Sequence, residues 1–113
     1  MDKLTRYRAL IRQFLQERAD LMNNHPIPGL ETIRFFDEKS DTYLVYTLGW
    51  HNRDRQQYVT LLARLHEGKI WIEEDGTEEG LADLLVEAGV PKEDIVLAFH
   101  APEMRPFTEF AVA

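Results

Sequence analysis

Leu61-Leu62-Ala63-Arg64-Leu65-His66-Glu67-Gly68-Lys69-Ile70-Trp71-Ile72-Glu73-Glu74 is the stretch that decides the fold. Two apolar-alternating runs flank Glu67-Gly68, which reads as the two-residue loop of a β-hairpin. Counting back from that loop sets the register: Leu65 opposite Ile70, Arg64 opposite Trp71, Ala63 opposite Ile72 and Leu62 opposite Glu73. Ile70, Ile72, Leu65, Ala63 and Leu61 then share one face, the core face. Trp71, Arg64 and Leu62 share the other. The run Thr42–His51 repeats the pattern, with Leu44, Tyr46, Leu48 and Trp50 on one side and Tyr43 and Val45 on the other. An antiparallel sheet with one solvated face alternates apolar with polar. Large apolar groups on both faces therefore imply that something covers the second face.

Working outward, Leu30–Asp37, Thr42–His51, Gln57–His66 and Lys69–Glu74 read as four strands of an antiparallel meander, separated by Asp37–Asp41, Asn52-Arg53-Asp54 and Glu67-Gly68. Before them, residues 2 to about 22 read as an amphipathic helix. Leu4, Tyr7, Ile11, Phe14, Leu15, Leu21 and Met22 recur at three- and four-residue steps, and Asp2 is placed to cap the start. Pro26 and Pro28 end it. After the meander, Thr77 is expected to cap a second helix over Glu78–Ala88, with Leu81, Leu84, Leu85 and Ala88 buried and Gly89 in the left-handed terminal position. Lys92-Glu93-Asp94 reads as one helical turn, Ile95–Phe99 as a short extended segment, and His100–Pro106 as loop. Phe107–Ala113 is apolar and is expected to dock, burying Phe107 and Phe110. The expected architecture is α+β, a single domain over residues 1–113: N-terminal helix, four-stranded antiparallel meander, second helix, short extended C-terminal segment.

Three parts of the chain carry a family resemblance: Ile70-Trp71-Ile72-Glu73-Glu74-Asp75-Gly76-Thr77-Glu78, Gly89-Val90-Pro91-Lys92-Glu93-Asp94-Ile95-Val96-Leu97 and Phe107–Ala113. Leu4-Thr5-Arg6-Tyr7-Arg8, Tyr43-Leu44, Gly49-Trp50 and Gly68–Ile72 fit with them. The chain closely resembles the XisI family of cyanobacterial proteins, controlling factors of fdxN-element excision. Ala98, Ala101, Pro106 and Phe107 depart from the family pattern, which has Gly, Pro, a polar or basic residue, and Tyr. The departures suggest a paralogue with its own partner. The resemblance implies a role in programmed DNA excision during heterocyst development, alongside the small factor XisH and the recombinase XisF. It implies an XisH-like protein partner and no cofactor, and it brings no catalytic group to any position here.

Charge narrows the function further. The chain carries a net charge of −7, but residues 1–66 hold ten Lys/Arg against eight Asp/Glu (+2), while residues 67–113 hold three against twelve (−9). A DNA binder gains affinity from clustered cations that neutralise phosphates, and this balance argues against direct DNA contact. The one basic concentration, Lys3, Arg6, Arg8, Arg12 and Arg18, flanks the apolar stripe of the first helix as an ordinary solvated face does. With no cysteine there is no disulfide, thiolate nucleophile or thiolate metal site. The start of the chain lacks a signal-peptide apolar block, no run suits a membrane helix, and the expected location is cytoplasmic.

Glu73, Glu74, Asp75, Glu78 and Glu79 diverge between sheet faces and helix positions, so no metal site is expected of them. His25, His51, His66 and His100 lack any ligand spacing. The expected surface for a partner or a second copy of the chain comprises Trp50, Arg64, Trp71, His100 and Arg105. Two other readings compete with a non-enzymatic, protein-binding factor. One is a direct nucleic-acid binder using the arginines of the first helix and central strands. The other is a small enzyme centred on His100, Glu103 and Arg105.

Overall fold

The computed structural model describes residues 2–113. Helix α1 spans Lys3–Asn24, and the Asp2 carboxylate accepts a hydrogen bond from the Thr5 amide, as the sequence predicts. Its buried stripe is Tyr7, Ile11, Leu15 and Ala19, every fourth residue; Phe14 and Met22 lie at its margins, while Leu4 and Leu21 face solvent. Strands β1 (Leu30–Asp37), β2 (Thr42–His51), β3 (Asp54–His66) and β4 (Lys69–Asp75) follow as the expected meander.

The sheet is not a four-stranded antiparallel one. Ile95–Leu97 forms β5, paired parallel to β4, so the sheet is mixed and runs β1-β2-β3-β4-β5. The return through helix α2 (Leu81–Glu87) is the crossover that a parallel neighbour requires. Both helices lie on one face of the sheet. Tyr7, Ile11 and Leu15 of α1 and Leu81 and Leu85 of α2 join Tyr43, Val45, Leu61, Ala63, Ile70, Ile72 and Ile95 in one core.

The hairpin register holds for Leu65–Ile70, Arg64–Trp71 and Ala63–Ile72, and then shifts. A bulge at Glu73 sets Leu62 opposite Glu74 rather than Glu73. A second bulge leaves Thr60 without a partner on β2.

Helix α2 also begins later than expected. Gly80, at φ +80°, precedes its first turn, so Glu78 and Glu79 lie outside the helix. Thr77 is not the cap: the Asp75 carboxylate accepts from the Leu81 amide at 2.7 Å and from the Thr77 amide at 2.9 Å. Gly89 does take the left-handed position, at φ +99°.

The C-terminal segment docks, but not through Phe107. Pro102–Phe107 forms a 3₁₀ turn that leaves Phe107 83 % exposed. The chain then returns beside β5: Phe110 is half-buried against the core, and the Ala111 amide donates to the Ile95 carbonyl. Among the described residues no helix is long and apolar enough to cross a membrane.

Candidate protein-binding surface

The face of the sheet opposite the helices is divided. Its β4–β5 end is covered by the C-terminal segment, which Arg105 holds in place. That guanidinium donates to the carbonyls of His100 (3.1 Å), Ala98 (3.4 Å) and Val112 (3.4 Å). It also lies 5.5 Å from the centre of the Trp71 ring, the same distance as the guanidinium of Arg64. The Trp71 indole nitrogen donates to the His66 carbonyl at 3.0 Å, and Arg64 pairs with Glu73 at 2.8 Å. Arg64, Trp71 and Arg105 therefore form one cluster. It is half-buried and satisfied within the chain, and serves as a clasp for the C-terminus.

His100 joins this clasp only through its carbonyl. Its ring is exposed and stacks obliquely on Phe99, with centroids 4.7 Å apart. It makes no hydrogen bond to Glu103 among the described residues. A cleft of about 170 Å³ lies elsewhere, between the end of α1 and strands β1–β3, with Asn23, His25, Thr32, Thr47 and Tyr58 in its lining.

Trp50 stands apart from the clasp, at the far end of the β2–β3 hairpin. It is 59 % exposed, with Arg55 over its ring at 5.8 Å. Register places it on the same face as Leu44, Tyr46 and Leu48, flanked by Ile33 and Phe35 of β1 and by Val59 and Leu62 of β3. Among the described residues no helix packs over this part of the sheet, and Phe35 is 57 % exposed. The expectation that both faces carry large apolar groups therefore holds. Among the described residues, cover from within the chain reaches the β4–β5 side. The sequence reading singled out Trp50 but not Phe35, whose place on this face follows only from the β1–β2 register.

The free edge of β1 is partly closed. The Asn23 side chain donates to the Thr32 carbonyl and accepts from the Thr32 amide, filling the place of a neighbouring strand.

The cations of α1 are engaged inside the molecule. Lys3 pairs with Asp94, Arg8 with Asp41, Arg12 with Glu38 and Arg18 with Glu79, while Arg6 donates to the Ala88 carbonyl. Among the described residues, Arg34, Lys39, Arg53 and Arg55 make no ion pair. The helix thus presents no bare cationic stripe to a phosphate backbone.

Comparison with known proteins agrees with this architecture. No curated protein matches the chain. The fdxN element excision controlling factor XisI from Anabaena variabilis, known from a crystal structure, is 41 % identical. The match covers 99 % of this chain and all of that one, with a TM-score of 0.88. A XisI-like protein from the same organism is 30 % identical over 97 % of this chain and 99 % of its own, with a TM-score of 0.90. The family described as XisI protein matches residues 1–112. With helix, mixed sheet and C-terminal clasp all falling inside that match, the chain belongs to the XisI family.

Proposed function

We propose that this protein is a non-enzymatic controlling factor of DNA-element excision that acts by binding another protein. The observation that carries this reading is the bare β1–β3 face, where Phe35, Leu44, Tyr46 and Trp50 lie together without cover from the chain's own elements. Aromatic groups beside an arginine are the residue types that dominate interface energetics. The internal engagement of the α1 cations favours a protein partner over DNA. The controlling-factor role of the related Anabaena protein supplies the process. The family resemblance supplies the partner class, an XisH-like protein.

The test is to purify the chain together with the XisH-like protein of the same host and measure binding by calorimetry. A saturable complex is expected, weakened at least tenfold by Phe35→Lys, a substitution at an exposed position that leaves the melting temperature nearly unchanged. Absence of a complex, or a complex indifferent to Phe35→Lys and Trp50→Ala, removes this reading.

A further inference from the structure

We infer that the bare β1–β3 face is built to receive a second copy of the same chain, through a two-fold axis running along β2. The inference takes up the face read above as protein-binding and names one of its occupants.

The charge layout carries it. On this face β1 presents only carboxylates, Glu31 and Asp37, and β3 presents only guanidiniums, Arg55 and Arg64. Strand β2, between them, presents Leu44, Tyr46, Leu48 and Trp50 and no charge. A two-fold axis along β2 lays each β1 over the partner copy's β3. Acid then meets base on both flanks while β2 meets β2. Position by position, the register also matches apolar with apolar. Ile33 shares a row with Val59 through Tyr46, and Phe35 shares one with Leu62 through Leu44. Each therefore meets its row partner on the other copy.

Asp37 and Arg64 are already engaged, with Ser40 and Glu73 respectively. Glu31 and Arg55 are not: among the described residues neither makes an ion pair. They lie one step apart in the ladder, Glu31 beside Leu48 and Arg55 beside Trp50. That offset is roughly 7 Å along the strands, within reach of the two side chains. The rest of the chain disfavours self-association. It carries a net charge of −7, and residues 67–113 alone carry −9, so two copies that met through the C-terminal half would repel. The charge-balanced patch is the β1–β3 face.

Its extent sets the strength of the contact. Eight residues by three strands is roughly 27 Å by 14 Å at ordinary strand spacing, on the order of 400 Å² per copy. That is about half the ~800 Å² per partner of a standard interface. The association is therefore reversible and concentration-dependent, with the two sheets stacked about 10 Å apart, as in an aligned sandwich.

The experiment is sedimentation equilibrium on the purified full chain from about 1 µM to about 1 mM, a range over which a reversible dimer changes its population. The mass is expected to move from monomer to dimer. Glu31→Arg or Arg55→Glu alone should weaken the dimer tenfold or more, because each puts like charges together twice. The double exchange Glu31→Arg with Arg55→Glu should restore it. Both positions are exposed, and circular dichroism melts check that each variant folds. A mass that stays monomeric throughout overturns the inference, as does a dimer insensitive to the single reversals.

Calorimetry with the XisH-like protein separates the two claims. A monomeric chain that still binds that protein through Phe35 refutes the second copy and leaves the proposed function standing. A dimer with charge-exchange rescue but no such complex does the reverse.

Discussion

Asp41 stands in the β1–β2 turn at φ +50° and collects three hydrogen bonds: from Arg8 Nε at 2.7 Å, from the second Arg8 nitrogen at 3.0 Å and from the Tyr43 hydroxyl at 2.9 Å. The Arg8 bond, helped by Tyr43, holds its carboxyl below the ordinary Asp value. Burial first, and Asp41 second, push the Tyr43 hydroxyl up to about 12. Because the folded Asp41 value is depressed, its stabilisation is complete above the unfolded value near 4 and is lost as pH falls through the folded one. Because the folded Tyr43 value is raised, its stabilisation is complete below the unfolded value near 10 and is lost as pH rises toward about 12. Asp41→Asn keeps both the shape and the tolerance of positive φ, so it isolates the charge. It should cost about 1–2 kcal/mol at neutral pH and flatten the acid limb of melting temperature against pH. An Asn variant that melts like the parent at neutral pH would refute this. None of this was legible in the sequence, where Arg8 reads as one more cation on a solvated helix face. Its partner lies 33 residues away, and only the packing of α1 across β2 brings them together.

At the scale of elements, the sequence reading succeeded where periodicity was strong and failed where a side chain far from the usual position took over. Tyr7, Ile11 and Leu15 of the α1 stripe, the first three pairs of the β3–β4 hairpin and the left-handed Gly89 followed from spacing, whereas Leu4 and Leu21 of the expected stripe face solvent and Ala19 takes the fourth buried place. The start of α2 did not, because Asp75 reaches six residues forward to Leu81 across a turn made by Gly80. Asp75→Ala should therefore cost about 1–2 kcal/mol, as loss of a helix cap does, whereas Thr77→Ala should cost clearly less. Equal losses in chemical denaturation would return the cap to Thr77. The fifth strand escaped notice because three residues are too short to show a period, and its parallel pairing depends on a crossover that only the fold reveals. The tail misled differently. Its composition correctly signalled docking, but the 3₁₀ turn containing Pro106 rotates Phe107 outward while Phe110 packs. Phe107→Ser should change stability by no more than about 0.5 kcal/mol. Phe110→Ala should lose about 1.5–3 kcal/mol, and thermal melts of the two variants would settle which phenylalanine anchors the segment.

For the molecule as a whole, the separation of charge between the two halves was visible in the sequence, but its use was not. The C-terminal carboxylates Glu79 and Asp94 neutralise Arg18 and Lys3 of α1, and Glu73 neutralises Arg64. The acidic half thus consumes cations that a nucleic-acid binder would need to keep free. Of the four cations whose side chains make neither an ion pair nor a hydrogen bond among the described residues, Arg34, Lys39, Arg53 and Arg55, Arg34 lies on the helix-bearing face and Arg55 on the bare one. Even if all four met phosphates, log affinity would fall with log salt at a slope no steeper than about −3.6, since each neutralised phosphate contributes about −0.9. The isolated chain should therefore show no sub-micromolar affinity for duplex DNA at about 150 mM salt. Fluorescence anisotropy with a labelled duplex, read across a salt series, tests this directly. Tight binding with a slope steeper than about −4 would require cations now engaged within the chain, such as Lys3, Arg8, Arg12 or Arg18 of α1, to leave their partners for phosphate.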